Sequence, residues 1–294
     1  MFKENMSNLL NESKVLIQVE SISNKILTMR RQSKVFYSEL KDSVIDFSEI
    51  YNPEFYYSAS ISPFIDLLLD IQEYLHCPDL LLERLSEIQF KHLQQDFKKH
   101  KRLHRRQLRD HRYSESKNRE QLIRRMERVS QRYARILVVR VDLAYALKSQ
   151  DMVDIQRFND DMHVLRTRIR DQDKMFRGLI EYAWALEQGI DKGYHCHLLL
   201  VYRGHERRKA YGIADQIGKL WKQITKDLGC YFNCHDTEYL RQFSERNMLG
   251  IGMIYRNDSE QVRQMLRTVS YLVNPEKQDQ YLRVKCSKRM RSFG

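Results

Sequence analysis

The stretch GYHCHLLLVY, residues 193–202, constrains this chain more than any other. It is an apolar, aromatic run bounded by glycines, the composition of a β-strand. Successive strand side chains point to opposite faces, so His195 and His197 share one face and Cys196 takes the other, core-facing side. Just upstream, GLIEYAWALEQG reads as a partner strand, and Gly189 and Gly193 bracket a turn between the two. A hairpin of this kind folds Glu187 back beside the histidine pair. Two imidazoles and an acid on one sheet face can share a divalent cation. The competing reading is a pair of histidines satisfied by backbone or solvent at a sheet edge, because an unpaired buried imidazole is costly.

The surrounding chain reads as an α+β fold. Residues 134–147, ARILVVRVDLAYAL, are rich in β-branched side chains and form a strand, with Asp142 near its end. A helix follows over about 151–170, then the hairpin, then a helix over about 208–228 with Ile213, Ile217, Leu220, Trp221 and Ile224 as its apolar stripe. Short strands are expected at about 230–240 and 248–256, and a last helix runs from Ser259 to the Asn274-Pro275 break. The order implies an antiparallel sheet of about five strands backed by helices, of the split-βαβ kind with an RRM-like palm. Residues 1–95 carry apolar side chains at helical spacing, punctuated by Pro53, Pro63 and Pro78, and read as an all-helical accessory region. Residues 96–130 form a basic helical connector, and 131–294 the α+β domain.

Charge narrows the partner. The net charge is +12 over 294 residues, an excess that fits a polyanion such as nucleic acid or an anionic membrane. No apolar run approaches the roughly 20 residues of a membrane span, and the N-terminus lacks a signal peptide's apolar core. A cytoplasmic, non-membrane protein is the expectation. Lys98, Lys99, Lys101, Arg102, Arg105 and Arg106 in the connector, with Arg203 and Arg267, are candidate DNA-contacting cations; a solvated helix face is the alternative for the connector. The 5 cysteines, an odd count at irregular spacing, do not suggest a disulfide framework. Cys230, Cys234 and His235 form a C-x3-CH cluster, but no second pair stands at zinc-finger spacing, so core or surface roles are expected.

One further residue belongs with the hairpin. Tyr271 lies in the last turn of the final helix, with Lys277 beyond the break. A phenol of pKa about 10 attacks phosphorus poorly unless assisted. A cation on the phosphate oxygens neutralises developing charge, and a nearby ammonium favours phenolate. With 17 tyrosines in the chain, Tyr271 by itself would read as a rim residue of an amphipathic helix.

His195-Cys196-His197 is similar to the His-hydrophobic-His motif of HUH endonucleases, and a Glu before the pair and a Tyr-bearing helix after it follow in the same order. More closely, VVRVDLAY, GYHCHLLLVYRG, YLVNPEKQDQYLRVK and the terminal RSFG resemble the inovirus-type replication endonucleases of filamentous phages and prophages. The resemblance covers about 131–294. It implies a rolling-circle replication initiator that nicks and rejoins one strand of an origin in a host cell through a 5′-phosphotyrosine. It makes His195 and His197 metal ligands and Tyr271 a single nucleophile. Glu187 becomes the third ligand, with Glu181 as rival, and Mg²⁺ or Mn²⁺ the cofactor; two imidazoles suit Mn²⁺ better. Single-stranded origin DNA is the implied partner. No phosphate-binding loop of the Walker type is present, so a helicase or polymerase would come from the host. One departure stands out: relatives often carry Lys three or four residues after the Tyr, where this chain has Asn274, leaving Lys277 as the nearest ammonium. Other readings therefore stay open: a catalytically inactive DNA-binding or adaptor protein on the same scaffold, or a helical interaction protein with a decayed catalytic domain. A one-metal site requires the imidazoles, an acid and the Tyr271 hydroxyl to converge within about 5 Å of one point.

Overall fold

A computed structural model describes residues 10–246, 248–273 and 280–294. The chain divides into two compact units. One comprises residues up to Asp110 with Asp151–Gln156 and Leu282–Met290; the other comprises His111–Gln150, Arg157–Tyr281 and Arg291–Gly294.

In the first unit, helices α1 (Glu12–Thr28), α2 (Phe36–Ile50), α3 (Ser62–Ile71) and α4 (Pro78–Glu87) precede the start of α5 (Phe90–Arg132). Asn11 caps α1 by accepting the Lys14 N–H, and Pro63 and Pro78 sit in the first turns of α3 and α4, where a missing N–H costs nothing. Leu16, Val19, Leu40, Phe47, Phe64 and Phe97 are fully buried between the helices. Edge-to-face ring pairs such as Phe47–Phe64 and Phe64–Phe97 lock the packing. This helical region also holds a two-residue ladder of β1 (Tyr56–Tyr57) with β7 (Val284–Lys285), built on a segment from near the chain's end. There the buried Arg283 guanidinium pairs with Glu20 at 2.6 Å.

The second unit is α+β, with a five-stranded antiparallel sheet. β2 (Arg135–Tyr145) lies at its centre, paired on one side with β4 (Gly193–Arg203), which pairs in turn with β3 (Leu179–Gly189). The other side of β2 is shared: β6 (Gly252–Tyr255) pairs with its first half and β5 (Gly229–Asn233) with its second. Alternation sorts the two faces. Tyr145, Tyr194 and Trp184 face α6 (Ile155–Arg170) and α7 (Ala210–Ile224): Tyr194 stacks on Phe158, Tyr145 meets Trp221 edge-on, and Arg166 lies over Trp184. The opposite face buries Ile136, Val138, Ala183, Ala185, Leu199 and Val201. Leu122 and Met126 from the end of α5, and Met265, Val269 and Leu272 from α9 (Ser259–Leu272), join that core. Cys196 is fully buried on the α6/α7 side, as its parity requires.

One expectation needs correction. The strand expected at about 230–240 ends at Asn233. Residues Thr237–Glu245 instead form helix α8, whose N-cap Asp236 accepts the Glu238 and Tyr239 N–H groups. The basic segment expected to be helical over 96–130 forms the body of the 43-residue α5. Asn274, Pro275 and Lys277 lie outside the described residues.

The edge of β3 is not left open. Trp184 exchanges both backbone hydrogen bonds with Gly294, and Leu186 N–H donates to the Ser292 carbonyl, so the terminal RSFG runs along it. Covering an edge in this way removes a template for unwanted strand pairing. Among the described residues no helix is long and apolar enough to cross a membrane.

The hairpin that carries the histidines turns through Ile190, Asp191 and Lys192, and Gly193 takes φ +58°, the left-handed conformation expected after a three-residue loop. A Cβ there would stand 3.3 Å from the Gln150 side chain. Gly193→Ala is expected to lower stability by about 1–2 kcal/mol, the left-handed penalty of an L-residue; urea unfolding of the two proteins checks it.

Candidate metal centre

Strand pairing builds the site. Glu187 of β3 stands directly opposite His195 of β4, and Asp142 of β2 directly opposite His197. Parity puts all four side chains, with Arg140, on the sheet face that α9 covers. A ligand atom from each of Glu187, His195 and His197 lies within 4.8 Å of the other two. The Glu187 carboxylate is 3.5 Å from His195 Nε2 and 3.4 Å from His197 Nε2. All three residues are buried, at 8%, 3% and 5% exposure for Glu187, His195 and His197, so this is not a solvated surface cluster.

Each imidazole is held by its other nitrogen. His195 Nδ1 lies 3.1 Å from the Gly193 carbonyl, which can only accept, so Nδ1 carries the proton. His197 Nδ1 lies 2.8 Å from Asp142, which in turn pairs with the Arg140 guanidinium at 3.2 Å. Both Nε2 atoms are thereby directed at the Glu187 carboxylate. Tethering a ligating histidine through its second nitrogen is how proteins fix tautomer and orientation at metal sites. Cis ligands on an octahedral ion held at about 2.1 Å lie about 3 Å apart, close to the 3.5 and 3.4 Å from Glu187 to the two imidazoles. The donor set fits a divalent cation.

The electrostatics follow from burial and pairing. Burial opposes ionisation of Asp142, but His197 and Arg140 outweigh it and hold the acid well below the usual carboxylate range. Burial likewise opposes a charged His197, yet the bonds to Asp142 and Glu187 win and raise its pKa above the ordinary histidine value. On the far face, burial pushes the Cys196 thiol up, as befits a core residue.

The other candidates distribute as follows. Glu181 is taken by Arg125 of α5, which grips it with two nitrogens at 3.0 and 2.5 Å, and so stands apart from the imidazoles. Tyr271 is 46% exposed and does not line the cavity over the histidines. It lines the adjoining cavity, and Arg140 and Tyr239 line both. Arg267 lines the Tyr271 cavity. Arg203 is at the opposite end of β4, six residues from His197, where it pairs with Glu206 at 2.9 Å. Lys98, Lys99, Arg102, Arg105 and Arg106 are exposed on α5 and Lys101 is half-buried there, all within the helical unit. Among the described residues, Cys230, Cys234 and His235 form no ligand cluster. Instead His235 Nε2 accepts the Arg140 backbone N–H at 3.1 Å.

Sequence reasoning passed over Arg140 and Asp142 as site residues. The available signal was two charges at i and i+2 in an otherwise apolar central strand, where each needs a partner. It also missed Tyr239, because α8 was read as strand and its i, i+4 aromatic pair was not visible as one face.

A model of the YagK/YfjJ C-terminal domain matches residues 91–294. The chain belongs to the YagK/YfjJ C-terminal domain family. Every residue of the candidate centre lies inside the stretch that this family defines. Searches of curated proteins and of solved structures returned no match. In this member of the YagK/YfjJ C-terminal domain family, then, the site's chemistry is read from its geometry.

Burial lowers the His235 pKa from 6.5 to about 4. The folded state therefore holds this proton more weakly than the unfolded chain. The stability it supports is complete above pH 6.5 and is lost as pH falls through about 4, a change of about 3 kcal/mol. His235→Gln, which keeps an acceptor for Arg140, is expected to flatten that part of the stability–pH curve measured by denaturant unfolding.

Proposed function

We propose that this protein is a metal-dependent enzyme that nicks and rejoins single-stranded DNA with Tyr271 as nucleophile. The observation that carries the reading is the convergence of two tethered Nε2 atoms on one buried carboxylate, beside a cavity that presents a phenol and two guanidinium groups. Glu187, His195 and His197 would hold the cation, which when bound supplies charge neutralisation to phosphate oxygens. Mn²⁺ or Mg²⁺ is the proposed ion, with the nitrogen donors favouring Mn²⁺.

The chain's own residues do the rest. Asp142 holds the His197 ring in the orientation that leaves Nε2 for the cation. Arg140 neutralises Asp142 and borders both cavities, where a phosphodiester passing between them meets its positive charge. Tyr271 Oη forms a bond to phosphorus as the P–O3′ bond breaks. The phenol proton is given up to a base and the departing 3′-oxygen takes one up as a hydroxyl. The ester keeps the bond energy, so reversal rejoins the strand without a nucleotide cofactor. The similarity to HUH endonucleases of the inovirus type supports the same reading and adds a role, initiation of rolling-circle replication at an origin. The antiparallel sheet with the histidines on a central strand is compatible with the HUH, RRM-like arrangement.

The position of Tyr271 in the adjoining cavity rather than over the histidines favours one alternative: a DNA-binding or adaptor protein that no longer cuts. The two separate cleanly. On single-stranded oligonucleotides with Mn²⁺, the wild type is expected to form a covalent DNA adduct that survives denaturing electrophoresis and vanishes with chelator. Tyr271→Phe is expected to abolish it, a loss of at least about 10³-fold for removal of a nucleophile. An adduct that persists in Tyr271→Phe removes Tyr271 from the role, and binding without any adduct supports the adaptor.

A further inference from the structure

Two cavities meet at Arg140 and Tyr239, and a row of aromatic rings connects them. Phe232 of β5 lines the metal cavity, Tyr239 of α8 lines both, and Phe243, one turn further along α8, lines the cavity of Tyr271. The rings are in contact: Phe232 and Tyr239 have centroids 5.0 Å apart, Tyr239 and Phe243 4.6 Å. Phe232 is 45% exposed beside a polar cavity, and Phe243 is only half-buried. Phe232 and Tyr239 meet edge-on and Tyr239 and Phe243 are tilted, and Tyr239 also packs against the sheet core. What sets the row apart is that each ring also borders a cavity.

The cavity at the far end, about 370 Å³, is large enough for a flat heterocycle and its sugar. Met248 and Ile251 give it apolar walls, and Gly250 lets the 248–251 segment lie against α9, since a Cβ there would fall 2.2 Å from the Gln264 carbonyl oxygen. Its described lining contains the guanidinium groups of Arg140 and Arg267 and no carboxylate. Flat apolar surface edged with cations fits a nucleobase with its phosphate. A neutral lipid or an apolar helix would make no use of the two guanidinium groups at the cavity's rim, whereas a phosphate would.

We propose that Phe232, Tyr239 and Phe243 form a stacking platform for successive bases of an unpaired DNA strand, with the last base seated in the Phe243 cavity and Arg267 on its phosphate. The proposal rests on the reading above for naming the strand as the substrate of the metal centre. It assigns α8, which has no part in holding the cation, the task of setting which phosphate lies between the histidines and Tyr271.

The test measures binding in chelator, so that neither metal nor cleavage contributes. Fluorescence anisotropy compares labelled dT12 with a twelve-unit abasic phosphodiester of equal charge. The wild type is expected to prefer dT12 by at least about tenfold, the scale of base–aromatic stacking. Phe243→Leu, which keeps apolar volume, and Phe232→Ala are each expected to weaken dT12 about tenfold while leaving the abasic chain unchanged. Arg267→Ala is expected to weaken both chains alike. Equal wild-type affinity for the two chains overturns the platform, as does unchanged dT12 binding by Phe243→Leu and Phe232→Ala proteins that melt at the wild-type temperature. A platform that passes this test in a protein that never cuts leaves the stacking assignment standing and removes the nickase. Nicking with no base preference does the reverse.

Discussion

A pair of histidines on one strand face can serve a cation only if each ring is held by its other nitrogen. Here the Gly193 carbonyl and the Asp142 carboxylate do the holding, and Glu187 receives what is left over. The arrangement depends on register. A one-residue slip of β4 against β2 would turn both histidines to the α6/α7 face and bring Cys196 to the site. The turn at Gly193 and the eight-residue pairing of β4 with β2 fix that register. Fold and site are in this sense one constraint, since the buried side chains that set the register also set the ligands.

Burial gives the site its character. The side chains themselves are buried, so each charge needs a designated partner. Arg140 serves Asp142, Asp142 serves His197, and the Arg140 backbone N–H is itself taken by His235. That chain of bonds ties the central strand to the start of α8, whose N-cap, Asp236, follows His235 directly. α8 is therefore positioned by the same network that orients the imidazoles. This gives a physical reason for the aromatic row to begin at the edge of the cavity over the histidines.

Much of the site was legible in the sequence because strands have a strict period of two. Parity alone placed His195 with His197, and hairpin closure returned Glu187 to them. Glu187 and Glu181 share parity, and the register of the hairpin separates them: Glu187 stands opposite His195, and Glu181 opposite Val201, where Arg125 takes it. Helix α8 was hidden for a local reason. Its apolar side chains, Tyr239, Leu240 and Phe243, are few and two of the three are aromatic, and they follow a strand with no glycine or proline to mark the boundary. The pairing of RSFG with the β3 edge could not be read either, because a four-residue segment carries no periodicity and its partner is about a hundred residues away. The helical region was visible as helices, but not the two-residue ladder within it that recruits Val284 and Lys285.

The central claim is that Glu187, His195 and His197 hold a divalent cation. Anomalous diffraction from crystals soaked in Mn²⁺ tests it most directly. One strong manganese peak is expected within coordination distance of both Nε2 atoms and a Glu187 oxygen, with no peak there in crystals of His195→Ala protein. Manganese absent from that position in well-diffracting wild-type crystals at neutral pH, or bound there unchanged without His195, would contradict it.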